Sequence, residues 1–535
     1  MPTSRRNFLK AAAASSACAS LPSLFASQRD PINKLSADPL RPQFHLLPTK
    51  NWMNDPNAPI YWNGLYHMFF QYNPNAAIWG DMHWAHAVSE DMIHWRHLPV
   101  ALAPTPGWDD ADGCFTGSAV DDHDTATILY TGVKRAPIER ATLRDGHNNF
   151  REVQCLATSV DSQLLTWLKW PKPVIEPPAD PQLAGFRDPF IWRQGNNWLL
   201  GVGSGHFKKG GCVLLYRSRD LRQWEFLHEL AARHWTEKES TNPVDSGEMW
   251  ECPDFFQLGK KYVLLYSTAG KVIWESGELD QKKLKFHSER QGILDHGAYY
   301  AQKTQLDAQG NRILWGWISE KRPDSELISV GWAGCMALPR VLSLNSNNDL
   351  RMTFASQTQS LRAKSFALPQ SHPDVRATTI ELPDITLENL CAELAWEISF
   401  PMASIQLIDS QGVWYSVSYT LENSKVTITV NFVPYEIPIA PVDRNAHMPA
   451  HIDDMNHTSD PSSPPSPRPS PSISSFHLFL DASVAELIVN QRHAITTRIY
   501  RQPQGPLRIN VSTLTKFTAF EAHQLRPISP DRLTT

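Results

Sequence analysis

The sequence predicts an all-β protein: a five-bladed β-propeller over residues 40–350, followed by a β-sandwich over residues 355–530. Three observations support this prediction. Between residues 40 and 350, short apolar runs alternate with Gly, Asn and Asp turns, which is typical of antiparallel strands. An internal repeat divides this region into five units. Beyond residue 355 the alternating pattern continues, interrupted by a stretch rich in Pro and Ser at residues 441–475.

Three of the repeat units open with a carboxylate and continue into a hairpin. Asp55, Asp188 and Glu251 each precede an aromatic strand, a turn with Gly and a second apolar strand. Two looser units lie around residues 115–130 and 300–317. Equivalent positions in the blades of a propeller lie at the same end of its axis. We therefore expect the three carboxylates to converge there and to form one site.

A second repeated phrase supports the same period. It joins a Ser-x-Asp segment to a Trp four residues after the Asp, at Asp91 with Trp95 and at Asp220 with Trp224. After the propeller, the stretch at residues 441–475 contains too many prolines to form a strand ladder. We interpret it as an insertion that protrudes as a loop from the sandwich domain.

The first 26 residues are not expected to belong to the fold. Arg5 and Arg6 precede an Ala-rich, weakly apolar run, and this pattern is typical of a twin-arginine export signal. Cleavage after Ala19 or after Ala26 would fit the small residues there. The protein is therefore expected in the periplasm or outside the cell. No other segment is apolar enough to span a membrane.

The composition and net charge of the chain limit the kinds of partner that it can bind. The chain has 535 residues, 41% of them apolar and 20% charged, with a formal net charge of -5, as in soluble globular proteins. Such a charge provides no basic field for nucleic acid. The six cysteines beyond the signal lack CxxC pairs and His neighbours at metal-ligand spacing, so no zinc site is predicted.

Paired carboxylates are the groups that glycoside cleavage requires. One attacks the sugar or activates water, and a protonated one releases the leaving oxygen. If the three acids meet, repulsion and burial should raise the pKa of one of them and make it the acid. A single Asp or Glu at a turn usually caps backbone amides. Three acids at one repeat position favour a catalytic function.

The segments around these acids resemble the signature motifs of glycoside hydrolase family 32, which contains invertases, levanases, inulinases and fructosyltransferases. The three segments are residues 51–57 (NWMNDPN), 186–189 (FRDP) and 250–253 (WECP). Further similar phrases occur at residues 71–74, 79–84, 115–118, 300–301, 331–340, 479–481 and 498–500. The resemblance covers nearly all of the chain beyond the signal and implies the same fold.

The resemblance also implies roles for individual residues. Asp55 would be the nucleophile, Glu251 the general acid and then the base, and Asp188 with Arg187 would hold the fructose hydroxyls. A double displacement retains the anomeric configuration and places the carboxyls about 5 Å apart. Neither a metal nor an organic cofactor is implied. The residues that would bind the sugar are Asn54, Gln71, Trp79, Phe115, Ser118, Arg187, Tyr300 and Trp332.

Some of these residues have a simpler interpretation. Trp79 and Trp332 could belong to the core of the blades, as buried aromatics often do. Cys252 is expected to pack beside Glu251 and to tune its surroundings rather than to act as a nucleophile, although a His from elsewhere in the fold could activate it.

The sequence departs from the family pattern at three positions. Ala58 replaces a usual Gly, Thr116 stands where Ser is common, and Gln305 stands where an aromatic is frequent. The first two are expected to flank the fructose pocket and to affect substrate preference.

The sequence thus predicts a retaining hydrolase of β-fructosidic bonds that releases fructose from sucrose or from fructan chain ends. A pocket for a terminal fructose favours attack at chain ends. Three alternatives remain open: a fructosyltransferase with the same acids, an inverting arabinanase-like propeller with acids farther apart, and a fructan-binding protein without catalysis. The presence of all three carboxylates argues against the last.

Overall fold

The computed structural model describes residues 35–367, 379–398, 402–422, 425–437, 442–443, 474–512 and 517–529. The predicted signal at residues 1–26 and most of the predicted insertion at residues 441–475 lie outside the described residues. Strands dominate what is described. Its helices include Pro243–Ser246, Asp324–Val330 and the 3-10 turn Ser356–Leu361.

Five antiparallel sheets follow one another along the chain as the blades of the propeller. Blade 1 contains β1 (Asn51–Trp62), β2 (Leu65–Asn73), β3 (His83–Ser89) and β4 (Trp95–Leu102). Blade 2 contains β5 (Gly113–Asp121), β6 (Ala126–Arg135), β7 (Leu143–Arg144), β8 (Asn149–Ser159) and β9 (Trp167–Lys169). Blade 3 contains β10 (Leu183–Gln194), β11 (Asn197–His206), β12 (Gly210–Ser218) and β13 (Glu225–Ala232).

The last two blades complete the ring. Blade 4 contains β14 (Glu251–Leu258), β15 (Lys261–Thr268), β16 (Lys271–Asp280) and β17 (Lys285–Asp295). Blade 5 contains β18 (Tyr299–Leu306), β19 (Arg312–Ile318), β21 (Cys335–Met336), β22 (Arg340–Leu344) and β23 (Leu350–Phe354), while β20 (Trp332–Ala333) pairs with β1. The inner strands β1, β5, β10, β14 and β18 contact one another in sequence, and β18 contacts β1. The predicted five-bladed propeller is confirmed.

Every inner strand carries a break in its register near the end that faces the predicted site. The breaks lie between Met53 and Pro56, Phe115 and Gly117, Arg187 and Phe190, Glu251 and Asp254, and Tyr300 and Lys303. Backbone φ angles near these breaks are positive, 63° at Asp188 and 47° at Cys252. Such bulges turn side chains out of the alternating pattern of a strand. Here they direct consecutive residues toward the axis.

The repeated Ser-x-Asp phrase forms the turn between the third and fourth strands of a blade. Asp220 accepts hydrogen bonds from the backbone N–H of Arg222 and Gln223, at 2.9 and 2.8 Å. The Nε1–H of Trp224 donates to the carbonyl of Leu221 at 2.9 Å. The same bonds occur around Asp91 and Trp95. Similar bonds occur in a third copy, at Asp161 with Trp167. The sequence pattern did not reveal this copy, because its Trp lies two residues farther from the Asp than in the other two.

The C-terminal region forms two packed sheets, as predicted for a sandwich. One sheet has the strand order β34-β33-β32-β26-β36-β24, and the other has the order β25-β35-β27-β28-β29-β30. The first continues the sheet of blade 4, because β34 pairs in parallel with β17. The strands of the two sheets are β24 (Arg362–Ala367), β25 (Thr379–Leu387), β26 (Cys391–Ile398), β27 (Met402–Asp409), β28 (Gly412–Glu422), β29 (Lys425–Val430), β30 (Val433–Ile437), β32 (Ser474–Asp481), β33 (Val484–Val489), β34 (His493–Arg498), β35 (Leu507–Ser512) and β36 (Phe517–Leu525). The short strand β31 (Val442–Asp443) pairs with β17 of blade 4. Apolar side chains from both sheets form one core between them.

A buried network of charges joins the sandwich to the propeller. Arg340 donates to Asp295 at 3.1 Å and to Glu486 at 2.6 Å. His45 contacts Asp481 at 2.7 Å and Glu486 at 2.9 Å. All five side chains are fully buried. Burial alone would lower the pKa of His45, but its bonds to Asp481 and Glu486 outweigh burial and raise the pKa to about 9.

This raised pKa predicts a pH dependence of stability. The stability that protonated His45 contributes is fully present below about pH 6.5, and it is lost as the pH rises through about 9. The His45→Gln variant leaves two buried carboxylates poorly paired and should lose about 3 kcal/mol at pH 6. Thermal unfolding between pH 6 and 10 should show the gap from wild type narrowing as the pH rises.

The control for this prediction is His123→Gln, because the side chain of His123 is 74% exposed. Its unfolding temperature should follow that of the wild type at every pH. A gap between wild type and His45→Gln that stays constant across the range would contradict the proposed charge of His45.

Candidate active site

A pocket of about 250 Å³ lies where the inner strands converge. Each blade contributes to it: Asp55 from β1, Phe115 from β5, Asp188 from β10, Glu251 from β14 and Tyr300 from β18. Nine of the eleven predicted site residues line it: Asn54, Asp55, Gln71, Trp79, Phe115, Arg187, Asp188, Glu251 and Tyr300. The other lining residues are Thr116, Leu143, Arg144, Asp145, Ala184, Asn242, Pro243 and Trp317.

Asp55 is held by three donors. The amide of Asn54 donates to its Oδ1 at 3.0 Å, and the hydroxyl of Thr116 donates to its Oδ2 at 2.7 Å. The thiol of Cys252 lies 3.3 Å from the same Oδ2. Burial raises the pKa of Asp55, and the charge of Glu251 adds to this, while the three donors oppose it. The carboxylate is thus fixed in place with its charge only partly compensated.

Glu251 is fixed from two sides. Its Oε1 accepts from Arg187, at 2.9 Å from Nη2 and 3.2 Å from Nε. Its Oε2 lies 2.8 Å from the hydroxyl of Tyr300. Burial and the charge of Glu251 raise the pKa of Tyr300 well above its ordinary value, so this hydroxyl keeps its proton. Because a phenol can both donate and accept, the Tyr300 contact persists whether Glu251 is ionised or protonated.

Arg187 owes its position to a residue that the sequence analysis did not single out. Its Nη1 donates to Glu152 at 2.8 Å, and Glu152 is completely buried. The other carboxylate oxygen of Glu152 accepts from the backbone N–H of Phe186 and the hydroxyl of Thr142, both at 2.8 Å. Glu152 lies on β8 of the neighbouring blade. It belongs to none of the repeat units, so the sequence offered no signal for it.

Asp188 lies deepest among the three acids. Its Oδ2 accepts the backbone N–H of Cys252 at 2.9 Å, and its own N–H donates to Thr131 at 2.9 Å. Burial raises its pKa to about 7, and the charges of Glu251 and Asp55 add to this, while Arg187 opposes it. We expected crowding to raise the pKa of one acid, but both Asp55 and Asp188 are affected.

The thiol of Cys252 contacts Asp55 at 3.3 Å and Asp188 at 3.6 Å. Burial raises its pKa well above the ordinary thiol value, and the two carboxylates add to this. A protonated thiol is a weak nucleophile but a suitable donor to carboxylates. This arrangement agrees with the expected supporting role of Cys252, although its nearest acids are Asp55 and Asp188.

Two predicted site residues are elsewhere. Ser118 lies three residues beyond Phe115, which is about 10 Å along a strand, and it lines a separate cavity toward the opposite end of the axis. Ala58 and Gln305 line that cavity as well, so the expectation that Ala58 flanks the fructose pocket is also wrong. Trp332 is fully buried, and its Nε1–H donates to Asp38 at 2.7 Å.

Trp332 and Trp79 therefore differ in their surroundings. Trp332 is core, with the guanidinium of Arg322 lying 4.6 Å from its ring centroid. Trp79 is 43% exposed and packs edge-on against Phe115, with 5.9 Å between ring centroids. The wall that we expected from Trp332 is supplied by Trp317, which packs against Trp52 at 5.7 Å. Trp317 ends a looser repeat unit, and this was the only sequence signal for it.

The rim of the pocket comes from segments outside the inner strands. Arg144 donates to the carbonyl of Leu183 at 2.9 Å, and Asp145 accepts from the backbone N–H of Asn148 at 2.6 Å. Asn242 caps the short helix Pro243–Ser246 by accepting from Val244 at 3.0 Å. The turns at Asp145 and Asn242 are held by local bonds, and none of these rim segments carries a repeat pattern. For this reason the sequence could not assign them to the site.

Comparison with known proteins places the chain in a family. A sequence model of the glycosyl hydrolases family 32 N-terminal domain matches residues 45–353. The chain belongs to glycoside hydrolase family 32. It is 33% identical to a sucrose-6-phosphate hydrolase of Escherichia coli over 86% of the chain and 90% of that protein. It is 40% identical to a raffinose invertase of Escherichia coli over 56% of the chain and 61% of that protein.

A solved family 32 β-fructofuranosidase of Bombyx mori has a TM-score of 0.68 and 27% identity, covering 93% of the chain and 97% of that structure. These findings confirm the predicted family and the predicted enzyme class, a glycoside hydrolase. The names of these relatives favour hydrolysis of β-fructosidic bonds over the transferase and binding-protein alternatives.

A twin-arginine translocation signal model matches residues 2–22, which supports the predicted export route. Within the part of the chain that the structure describes, no helix has the length and apolar character needed to cross a membrane. The cluster of His, Cys and Glu side chains with metal-ligand geometry that the structure describes lies outside the pocket, in blade 3.

The raised pKa of Asp188 predicts a gain in stability when its charge is removed. The stability contributed by the protonated form is fully present below about pH 3.8 and is lost as the pH rises through about 7. Asp188→Asn should therefore unfold several degrees above the wild type at pH 8, and this advantage should shrink toward pH 4. Differential scanning calorimetry at both pH values measures it.

A matched control is Asp220→Asn. Backbone N–H donors at Gln223 and Arg222 outweigh burial and lower the pKa of Asp220, so neutralising it should stabilise nothing at pH 8. If Asp188→Asn unfolds at a lower temperature than the wild type at pH 8, the ionised carboxylate of Asp188 does not destabilise the folded protein.

Proposed function

We propose that the protein is a retaining β-fructosidase that releases fructose from sucrose or from the non-reducing ends of fructans. The observation that carries this proposal is the shared pocket of Asp55 and Glu251, with Arg187 and Asp188 beside them. Asp55 would act as the nucleophile and Glu251 as the acid and base. The twin-arginine signal supports a destination in the periplasm or outside the cell.

The pocket suits a single sugar ring. Its volume is about 250 Å³, and its aromatic walls are Trp79, Phe115 and Trp317. Aromatic faces pack against the C–H groups of a sugar, and the carboxylates can accept hydrogen bonds from its hydroxyls. A small pocket of this kind favours a terminal fructose over an internal residue of a chain.

In the first step, the carboxylate of Asp55 attacks the anomeric carbon of fructose as the bond to the leaving oxygen breaks. Glu251 gives its proton to that oxygen, so the departing sugar leaves as a neutral alcohol. In the second step, Glu251 takes a proton from water, which displaces Asp55 from the anomeric carbon. Two inversions at one carbon retain its configuration.

The charge balance of the pocket supports the presence of the required proton. Three carboxyl groups, those of Glu152, Glu251 and Asp188, lie around the guanidinium of Arg187. The carboxyl group of Asp55 lies close enough for its charge to affect Asp188. Burial raises the pKa of Asp188 to about 7, and the charges of Glu251 and Asp55 add to this, so the pocket can retain a proton near neutral pH.

The names of the relatives indicate which substrate to test first. The relatives named sucrose-6-phosphate hydrolase and raffinose invertase have names that point to sucrose derivatives. A structure from Bombyx mori, 28% identical to the chain, is a complex with sucrose. Sucrose is therefore the first substrate to test, with inulin and levan as the polymers.

The central prediction concerns the two proposed catalytic carboxylates. Asp55→Ala should abolish the release of fructose from sucrose, and Glu251→Gln should lower kcat by about 10²- to 10⁴-fold, the usual size of an acid-base contribution. Time courses with sucrose, inulin and levan, with fructose and transfer products quantified separately, would measure both effects. NMR of the first product should show the β-anomer of fructose.

Ser118→Ala is the matched control, since Ser118 lies in the same strand as Phe115 but outside the pocket. Its activity should stay within about twofold of the wild type. Folded Asp55→Ala with undiminished hydrolysis would refute the proposed mechanism. Longer oligosaccharides as the main products would identify a transferase, and no turnover of any fructoside by the wild type would favour a binding protein.

A further prediction concerns the hydroxyl that Thr116 donates to Asp55. This bond lowers the pKa of Asp55, so Thr116→Val should raise that pKa further. Attack requires ionised Asp55, and activity is therefore lost as the pH falls through its pKa. The acid limb of kcat/KM should move to higher pH by about 1 to 2 pH units, since a bond to a charged group contributes about 1.5–3 kcal/mol.

Thr116→Ser keeps the hydroxyl and should keep the acid limb of the wild type. The pH profiles of both variants, measured with saturating and with dilute sucrose, separate an altered pKa from altered binding. An acid limb that is the same in Thr116→Val and wild type would show that this hydroxyl does not act through the ionisation of Asp55.

A further inference from the structure

Blade 3 carries a cluster of metal-ligating side chains that the proposed reaction does not use. His206, Cys212 and Glu229 each offer one atom, and these three atoms lie within 4.8 Å of one another. Cys212 is buried, and the other two are partly exposed. Imidazole nitrogen, thiolate and carboxylate are together the ligands that zinc takes in proteins.

The cluster follows from the register of three neighbouring strands. Cys212 on β12 pairs with Ser204 on β11, two residues before His206. Leu214, two residues after Cys212, pairs with Glu229 on β13. Since side chains alternate between the two faces of a sheet, this register places His206, Cys212 and Glu229 on one face.

A fourth residue lies beside the imidazole. The Oδ2 of Asp180 lies 3.1 Å from Nδ1 of His206, and Oε1 of Glu229 lies 3.4 Å from Nε2. The Nδ1 atom is buried and makes no hydrogen bond of good geometry with the described residues. A carboxylate beside one imidazole nitrogen commonly fixes the other nitrogen toward a metal.

We propose that His206 Nε2, Cys212 Sγ and the Glu229 carboxylate bind one Zn²⁺, with Asp180 holding the imidazole from behind. Two ligands of a tetrahedral zinc, each about 2.1 Å from the metal, are about 3.4 Å apart. The spacing of Nε2 and Oε1 already matches this value. The thiolate and the carboxylate carry two negative charges, which balance those of the ion.

The binding step balances in protons. Zinc bonds to the sulfur of Cys212 as its thiol releases one proton to solvent. No oxidation or reduction takes place. Water can occupy the fourth position, since the cluster supplies three ligands.

The expected effect of the ion is on stability. It would link β11, β12 and β13 and, through Asp180, the segment that leads into β10. Since β10 carries Arg187 and Asp188, the ion would hold the blade behind the pocket without contacting substrate. The sequence predicts no zinc site here, because five residues separate His206 from Cys212 and sixteen separate Cys212 from Glu229.

The test uses the purified full-length protein, stripped of metals with a chelator and titrated with ZnCl₂ in a calorimeter. One Zn²⁺ should bind per chain, and the temperature of unfolding should rise. Titration with Co²⁺ should produce the absorption band of a thiolate–cobalt bond. Cys212→Ser should lose this band, whereas Cys155→Ser, which removes another buried thiol, should keep it.

Two milder variants keep the test decisive if Cys212→Ser does not fold. The side chain of Glu229 is 38% exposed and that of Asp180 is 35% exposed, so Glu229→Gln and Asp180→Asn should fold. Glu229→Gln should bind Zn²⁺ at least 10-fold more weakly, and Asp180→Asn about 10- to 100-fold more weakly.

The opposite results would overturn the proposal. If the folded wild-type protein binds no Zn²⁺, the cluster is a set of contacts between His206 and its acidic neighbours and not a metal site. A cobalt–thiolate band that survives in Cys212→Ser would place the metal elsewhere. Release of fructose from sucrose by the metal-free protein at low temperature should be unchanged, so this test is independent of the proposed catalytic residues.

Discussion

The guanidinium of Arg187 is, among the residues that the structure describes, the positive charge that bonds to the acids at the centre of the propeller. Its Nη1 donates to Glu152 of blade 2 at 2.8 Å, and its Nη2 donates to Glu251 of blade 4 at 2.9 Å. These bonds fix the position of β10, which carries Arg187, relative to the blades on both sides. Asp188, the next residue, is turned to the axis by a bulge and is carried with it. Without this cation, the carboxyl groups of Glu152, Glu251 and Asp188 would repel one another with no positive charge between them.

The crowding of buried acidic groups at the pocket lowers the stability of the folded protein at neutral pH. The pKa of Asp188 is raised to about 7 and that of Asp55 is raised as well, chiefly by burial, so both are more costly to ionise in the folded protein than in the unfolded one. The remainder of the structure offsets this. The carboxylates of Asp295 and Glu486 pair with Arg340, and the sandwich and the propeller each contain buried apolar cores. Active sites commonly trade stability for reactive groups in this way.

The bulges of the inner strands explain why the three predicted acids lie at the pocket while two residues predicted beside them lie elsewhere. The repeat places Asp55, Asp188 and Glu251 at one position of the blade, and that position lies at the pocket. Ser118 stands in a motif segment, but strand geometry carries it about 10 Å past Phe115. Trp332 stands in another, but it packs among arginines in the core. A motif identifies a segment, whereas the direction of each side chain depends on the local backbone.

The sequence by itself determined the fold class and the common position of the three acids, because these depend on periodicity and on residue types repeated along the chain. The motif segments around the acids indicated the family by resemblance. Only the tertiary structure decided the partners of those acids. Glu152 and Trp317 come from strands outside the motifs and meet the site through the closure of the ring. The cluster of His206, Cys212 and Glu229 likewise needs three strands in register. Contacts between blades depend on how sheets pack in space, and no local pattern in the chain records that packing.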